Sequence, residues 1–156
     1  MSLEKTPAET CVLVTGGAGF IGSHTVVELL KDGYQVVIVD DLSNANEKVI
    51  DRIAQIAGAD GAERLSFVRA DVADRDALET VFETFAIDRV IHFAGFKAVG
   101  ESVTKPIEYY SNNLGNTLVL IDVMRDHGCK DIVFSSSATV YGDPDALPLT
   151  ELAPKK

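Results

Sequence analysis

The stretch Thr15-Gly16-Gly17-Ala18-Gly19-Phe20-Ile21-Gly22 sets four glycines between an apolar run, Cys11 to Val14, and an amphipathic one, Ile21 to Lys31. That order reads as strand, turn and helix, and the chemistry it suits is the holding of a pyrophosphate. One glycine permits the tight reversal, a second lets the main chain approach a phosphate without a Cβ in the way, and a third lets helix and strand pack closely. The helix N-terminus then offers free N–H groups and the positive end of its dipole. Gly17, Gly19 and Gly22 satisfy G-x-G-x-x-G, while Gly16, Gly19 and Gly22 satisfy the wider G-x-x-G-x-x-G. The bland alternative is a glycine-rich turn that only connects.

A second feature favours the ligand. Val36-Val37-Ile38-Val39 is a β-branched run that fits a buried parallel strand, and it ends in Asp40-Asp41. Asp40 stands 18 residues beyond Gly22 (40 − 22), about where the ribose-binding acid of a dinucleotide site belongs. A carboxylate there accepts from both ribose hydroxyls and repels a 2′-phosphate, and no Arg or Lys occurs between Val36 and Glu47 to attract one. NAD is therefore expected over NADP. The alternative for Asp40-Asp41 is a solvated acid pair at a strand end.

Later segments fall where such a site would continue. Asp71-Val72 follows the third strand, and the Asp71 carboxylate either accepts from an adenine amino group or caps the helix after it. Phe93-Ala94-Gly95-Phe96-Lys97 ends the fourth strand, where small residues let a cofactor lie on the sheet edge; Lys97 either faces phosphates or is solvated. Asn112-Asn113 lies inside a long helix, where asparagine has modest propensity, and so faces a ligand or bridges to the neighbouring strand. The run Ser135 to Ser137 ends the fifth strand and puts a hydroxyl opposite the glycine turn, unless the serines bond their own backbone.

These residues need a scaffold, and the chain supplies one by alternation. Helix is expected over Lys48–Ile56, strand over Leu65–Val68, helix over Asp76–Phe85, strand over Arg89–Phe93, a long helix over Pro106–His127, and strand over Asp131–Ser135. Gly58 to Ala62 reads as the loosest loop, and 142–148 as turn-rich and aperiodic. Right-handed crossovers around a switch point give an α/β fold, a doubly wound parallel sheet of order 3-2-1-4-5 that stops after its fifth strand. The ligand crevice belongs at the carboxyl ends of strands one and four.

With 156 residues, 46% of them hydrophobic, the chain suits one domain. A net charge of −10 argues against nucleic acid and anionic membrane surfaces as partners. No apolar run approaches the length of a membrane span. Two cysteines, Cys11 and Cys129, after a polar start without a targeting pattern read as reduced thiols in the cytoplasm.

Taken together, three stretches resemble the amino-terminal half of the UDP-glucose 4-epimerases, a family of extended short-chain dehydrogenase/reductases with a Rossmann-type domain. They are Val14 to Thr25 (VTGGAGFIGSHT), Val90 to Ser102 (VIHFAGFKAVGES) and Phe134 to Gly142 (FSSSATVYG). The resemblance implies a tightly held NAD, a UDP-sugar substrate interconverted between glucose and galactose forms in galactose metabolism, and an incomplete cofactor domain over 1–156 whose substrate domain is absent. It also implies cofactor contacts at Gly16, Gly19 and Gly22, at Phe20 and Ile21, at Asp40, Asp41, Leu42, Ser43, Asn44 and Ala45, at Asp71 and Val72, at Phe93 through Lys97, and at Asn112. Ser137 corresponds to the catalytic serine, and helix 106–127 to a homodimer seam.

In this family a tyrosine phenolate removes the C4 hydroxyl proton, with a lysine four residues on lowering its pKa. Four positions after Tyr34, Tyr109, Tyr110 and Tyr141 stand Ile38, Asn113, Leu114 and Asp145, so that pair is expected beyond Lys156 and this chain alone is expected to be inactive. One alternative is a dinucleotide-binding module without chemistry. Another, the nucleotide-sugar 4,6-dehydratases, carries an Asp-Glu pair before Val-Tyr-Gly; Ala138-Thr139 stands there instead.

Overall fold

The computed structural model describes residues 5–143 and 147–155; the first residues of the polar start, 144–146 of the turn-rich stretch and the last residue lie outside them. Five parallel strands form one sheet: β1 (Cys11–Thr15), β2 (Gln35–Asp40), β3 (Leu65–Arg69), β4 (Ile87–His92) and β5 (Asp131–Phe134). Their order is β3-β2-β1-β4-β5, as the alternation predicts. β1 is central, with Val14 opposite Ile38 on one side and Ile91 on the other.

Both faces of the sheet are covered, which is why β1 over Cys11–Val14 and β2 over Val36–Val39 are apolar at successive rather than alternate positions. Val12, Val14, Val36 and Ile38 point to α1 (Phe20–Lys31) and α2 (Lys48–Glu63), packing on Val26, Leu30 and Ile53. Leu13, Val37, Val39 and Val90 point the other way, to α3 (Arg75–Thr84) and a later helix carrying Leu120, Val123 and Met124.

Two local expectations need correction, and one further helix joins the scaffold. α2 runs on to Glu63 through the glycine stretch read as a loop, with a break at Gly58 (φ 78°). Gly61 is buried against Ala57 and Leu30, so it serves close helix approach rather than flexibility. A short helix, α4 (Val99–Thr104), precedes the long one. The long helix itself is divided into α5 (Pro106–Tyr110), a π turn (Ser111–Gly115) and α6 (Asn116–Asp126).

Among the described residues β5 pairs only with β4, and Ile132, Val133 and Phe134 are all exposed. Among the described residues no helix is long and apolar enough to cross a membrane, and no cluster of His, Cys, Asp or Glu is arranged to hold a metal ion.

Candidate functional site

The glycine turn leaves the carboxyl end of β1 and is wedged between its neighbours. Gly16 N–H donates to Val39 O at 2.9 Å, and Phe93 N–H donates to Thr15 O at 3.0 Å, so β2 and β4 both grip the turn. Gly16 adopts φ +68°, and a Cβ there would lie 2.6 Å from Ala94 N. At Gly22 a Cβ would collide with Gly16 O, while at Gly19 it would meet only that oxygen, at 3.3 Å. The fold thus demands glycine at Gly16 and Gly22 but barely at Gly19, whose backbone faces the cleft at the head of α1.

That cleft, of about 830 Å³, runs across the carboxyl ends of the strands at the β1/β4 switch point. It brings together most of the residues named from sequence. The turn contributes Gly16, Gly19, Phe20, Ile21 and Gly22; the end of β2 contributes Asp40, Asp41, Ser43 and Asn44. Asp71 and Val72 line it beyond β3, and Phe93 to Lys97 beyond β4, with Asn112 facing them from the π turn.

Asp40 is buried at the cleft floor. Its Oδ2 accepts from Ala18 N–H at 3.0 Å and its Oδ1 from Leu42 N–H at 2.9 Å, leaving lone pairs on both oxygens for a ribose. Asp41 is exposed and accepts from Ser43 N–H at 2.8 Å, holding the loop. Asp71 does not cap α3: it accepts from Ala73 N–H at 2.9 Å, and the cap is Asp74, which accepts from Ala77 N–H at 3.1 Å. Lys97 is exposed at the rim.

Leu42, Ala45 and Ser137 do not line the cleft. Leu42 has φ +61°, a conformation uncommon for a branched-chain residue and held by its hydrogen bond to Asp40. Ser137 is exposed and caps the turn at Ala138–Tyr141, its Oγ accepting from Thr139 N–H at 3.3 Å, which is the local backbone role a serine run allows.

Sequence reading passed over His92. It is buried at the end of β4, its Nδ1 2.6 Å from Thr15 Oγ1 and its Nε2 3.0 Å from Thr117 Oγ1, and burial pulls its pKa down to about 4. Only its place in the otherwise apolar run Val90 to Ala94, beside the cleft edge, signalled it. Glu101, Lys105 and Tyr109 also line the rim. Lys105 Nζ donates to Glu101 at 2.8 Å and Tyr109 Oη to Glu101 at 3.1 Å. Desolvation first, and then Glu101, holds the Tyr109 phenol above its ordinary pKa, the wrong direction for a phenolate base.

A doubly wound parallel sheet whose switch-point cleft joins a glycine turn to a buried strand-end acid defines a nucleotide-binding domain of the Rossmann type. The chain belongs to the family described as GDP-mannose 4,6 dehydratase, whose sequence profile matches residues 13–156. It is 59% identical over 143 residues to a UDP-glucose 4-epimerase of Cyamopsis tetragonoloba, covering 92% of this chain and 41% of that relative. It is 54% identical over 140 residues to the UDP-glucose 4-epimerase of Bacillus subtilis, covering 90% of this chain and 40% of that protein. Among solved structures it superposes with a TM-score of 0.88 and 54% identity on the UDP-glucose 4-epimerase of Bifidobacterium longum in complex with NAD+ and UDP, covering 94% of this chain and 43% of that one. The chain thus spans about two fifths of the length of these relatives.

Proposed function

We propose that this chain is the NAD-binding part of a UDP-glucose 4-epimerase, which interconverts UDP-glucose and UDP-galactose and so serves galactose metabolism. The observation that carries the reading is the cleft itself. Gly19 is the turn glycine that the fold requires least, set at a helix N-terminus, and Asp40 keeps free lone pairs at the ribose end. Those residues fit NAD. Gly19 and the first turn of α1 would hold the pyrophosphate, Asp40 the adenosine ribose, Asp71 the adenine, and Phe93 to Lys97 with Asn112 the nicotinamide half. NAD, when bound, supplies the acceptor and donor for the sugar's C4 hydride.

Ala138-Thr139, where a 4,6-dehydratase carries its acid pair, supports epimerisation over dehydration. We place Ser137 against the substrate by the same resemblance. Both cysteines are free and buried, which fits a reducing compartment such as the cytoplasm. The exposed apolar stripe along 107–121 supports a homodimer through that helical segment.

Crystals grown with NAD test the assignment. Density is expected along the cleft from Asp40 to Asn112, with the pyrophosphate against Gly19; density elsewhere, or none, overturns it.

A further inference from the structure

On the reading that NAD lies in this cleft, we propose that Asn113 is a positioning residue that fixes the strip Phe93–Lys97 against the nicotinamide half of the cofactor, and that His92 ties this clamp to the glycine turn. Asn113 grips Phe96 by its backbone on both sides: its Oδ1 accepts from Phe96 N–H at 2.8 Å and its Nδ2 donates to Phe96 O at 3.0 Å. Gly95, Phe96 and Lys97 belong to neither core cluster; the Phe96 ring leans on Tyr109, centroids 5.3 Å apart, at the rim. The backbone of the strip is held by the clamp. A Cβ at Gly95 would come within 3.3 Å of Asn113 Oδ1, so the strip is small where the amide passes.

The π turn at Ser111–Gly115 is what delivers this amide. An inserted residue widens one turn of the helix, a device found often at functional sites, and here it sits at the pair Asn112-Asn113. Asn112, in the cleft wall, donates from Nδ2 to Asn113 Oδ1 at 3.0 Å and accepts at Oδ1 from Asn116 Nδ2 at 3.3 Å, so the cleft-facing amide is aligned by the clamp.

The backbone of Asn113 is tied in turn. Thr117 Oγ1 donates to Asn113 O at 2.7 Å, which commits the threonine proton and leaves its oxygen to accept. His92 Nε2 therefore carries the ring proton and donates to Thr117, and His92 Nδ1 accepts from Thr15 Oγ1. Thr15 immediately precedes the glycine turn. One directed chain, Thr15 to His92 to Thr117 to Asn113, thus joins the phosphate-binding loop of β1 to the strip after β4, across the switch point.

The test uses Asn113→Ala and Asn113→Asp in this chain, with calorimetry of NAD and of adenosine monophosphate, which needs only the β2–β3 side, and amide exchange at Phe96. Asn113→Ala is expected to weaken NAD about tenfold, the scale of one or two lost hydrogen bonds, with monophosphate affinity held within about twofold and Phe96 exchange accelerated about tenfold or more. Asn113→Asp keeps the acceptor for Phe96 N–H but sets a carboxylate against Phe96 O; it is expected to retain part of the Phe96 protection and still to lower the NAD-to-monophosphate affinity ratio. If the alanine variant does not fold, that ratio in the aspartate variant decides, and an unchanged ratio overturns the clamp. Equal NAD affinity in the parent chain and Asn113→Ala, or a Phe96 amide that exchanges equally fast in both, overturns the clamp and leaves the cofactor reading standing. A parent chain that binds neither NAD nor adenosine monophosphate overturns the cofactor reading and the proposal with it.

Discussion

Asp40 accepts from the backbone N–H of Ala18 at 3.0 Å, so the strand-end acid of β2 pins the glycine turn that leaves β1. The residue assigned to a ribose is therefore also part of the frame. Asp40→Ala would leave the buried Ala18 N–H without its acceptor, at a cost of roughly 1–3 kcal/mol in stability. Asp40→Asn keeps an acceptor oxygen and should lose less. Urea titration ranks the two, and an alanine variant as stable as the parent would show that the turn holds itself.

The glycines of the turn should separate by role. Gly19 has φ −69° and ψ 171°, ordinary extended backbone, so Gly19→Ala should melt near the parent and yet bind NAD poorly. Gly22→Ala drives a methyl into Gly16 O and should cost roughly 1–3 kcal/mol by overpacking. Thermal melts run beside NAD titrations distinguish them. Loss of folding in Gly19→Ala would return that glycine to a purely structural role.

His92 gives stability a pH dependence of known sign. Burial lowers its pKa from 6.5 to about 4, so between those values the unfolded chain binds the extra proton and the folded chain does not. The stabilisation is full above about pH 6.5 and is lost as pH falls through about 4. Against a His92→Gln variant, the parent should lose about 2 kcal/mol more between pH 7 and pH 5 in denaturant titrations. Parallel losses in both proteins would mean that His92 titrates normally in the fold.

Apolar surface should drive association. Leu114, Leu118 and Ile121 are 56%, 68% and 48% exposed, and Val133 on edge strand β5 is 63% exposed. Met124, three residues beyond Ile121, turns inward instead and is 3% exposed. Self-association is expected in sedimentation at micromolar concentration, and Leu118→Glu should weaken it if the helix is the seam. An equally associated variant would point to the β5 edge, and a monomeric parent would rule out both.

The sheet order was legible because fully buried parallel strands leave a plain mark: Val36 to Val39 is β-branched at every position, since both faces are covered. The glycine turn and Asp40 were legible because their chemistry fixes type and spacing together. Gly58 to Ala62 misled, because glycine serves helix contact at Gly61 as readily as it serves a loop. The pair Asn112-Asn113 carried two meanings in sequence, ligand contact or polar bridge. The structure separates the two residues, with Asn112 in the cleft wall and Asn113 on Phe96. No local propensity announces the π turn in which they stand.

The most direct measurement is a calorimetric titration of the chain with NAD and with NADP. The account predicts saturable one-to-one binding of NAD, with NADP weaker by about tenfold or more because its 2′-phosphate meets Asp40 and Asp41 with no cation between Val36 and Glu47. Absence of NAD binding, or equal affinity for the two dinucleotides, would contradict it.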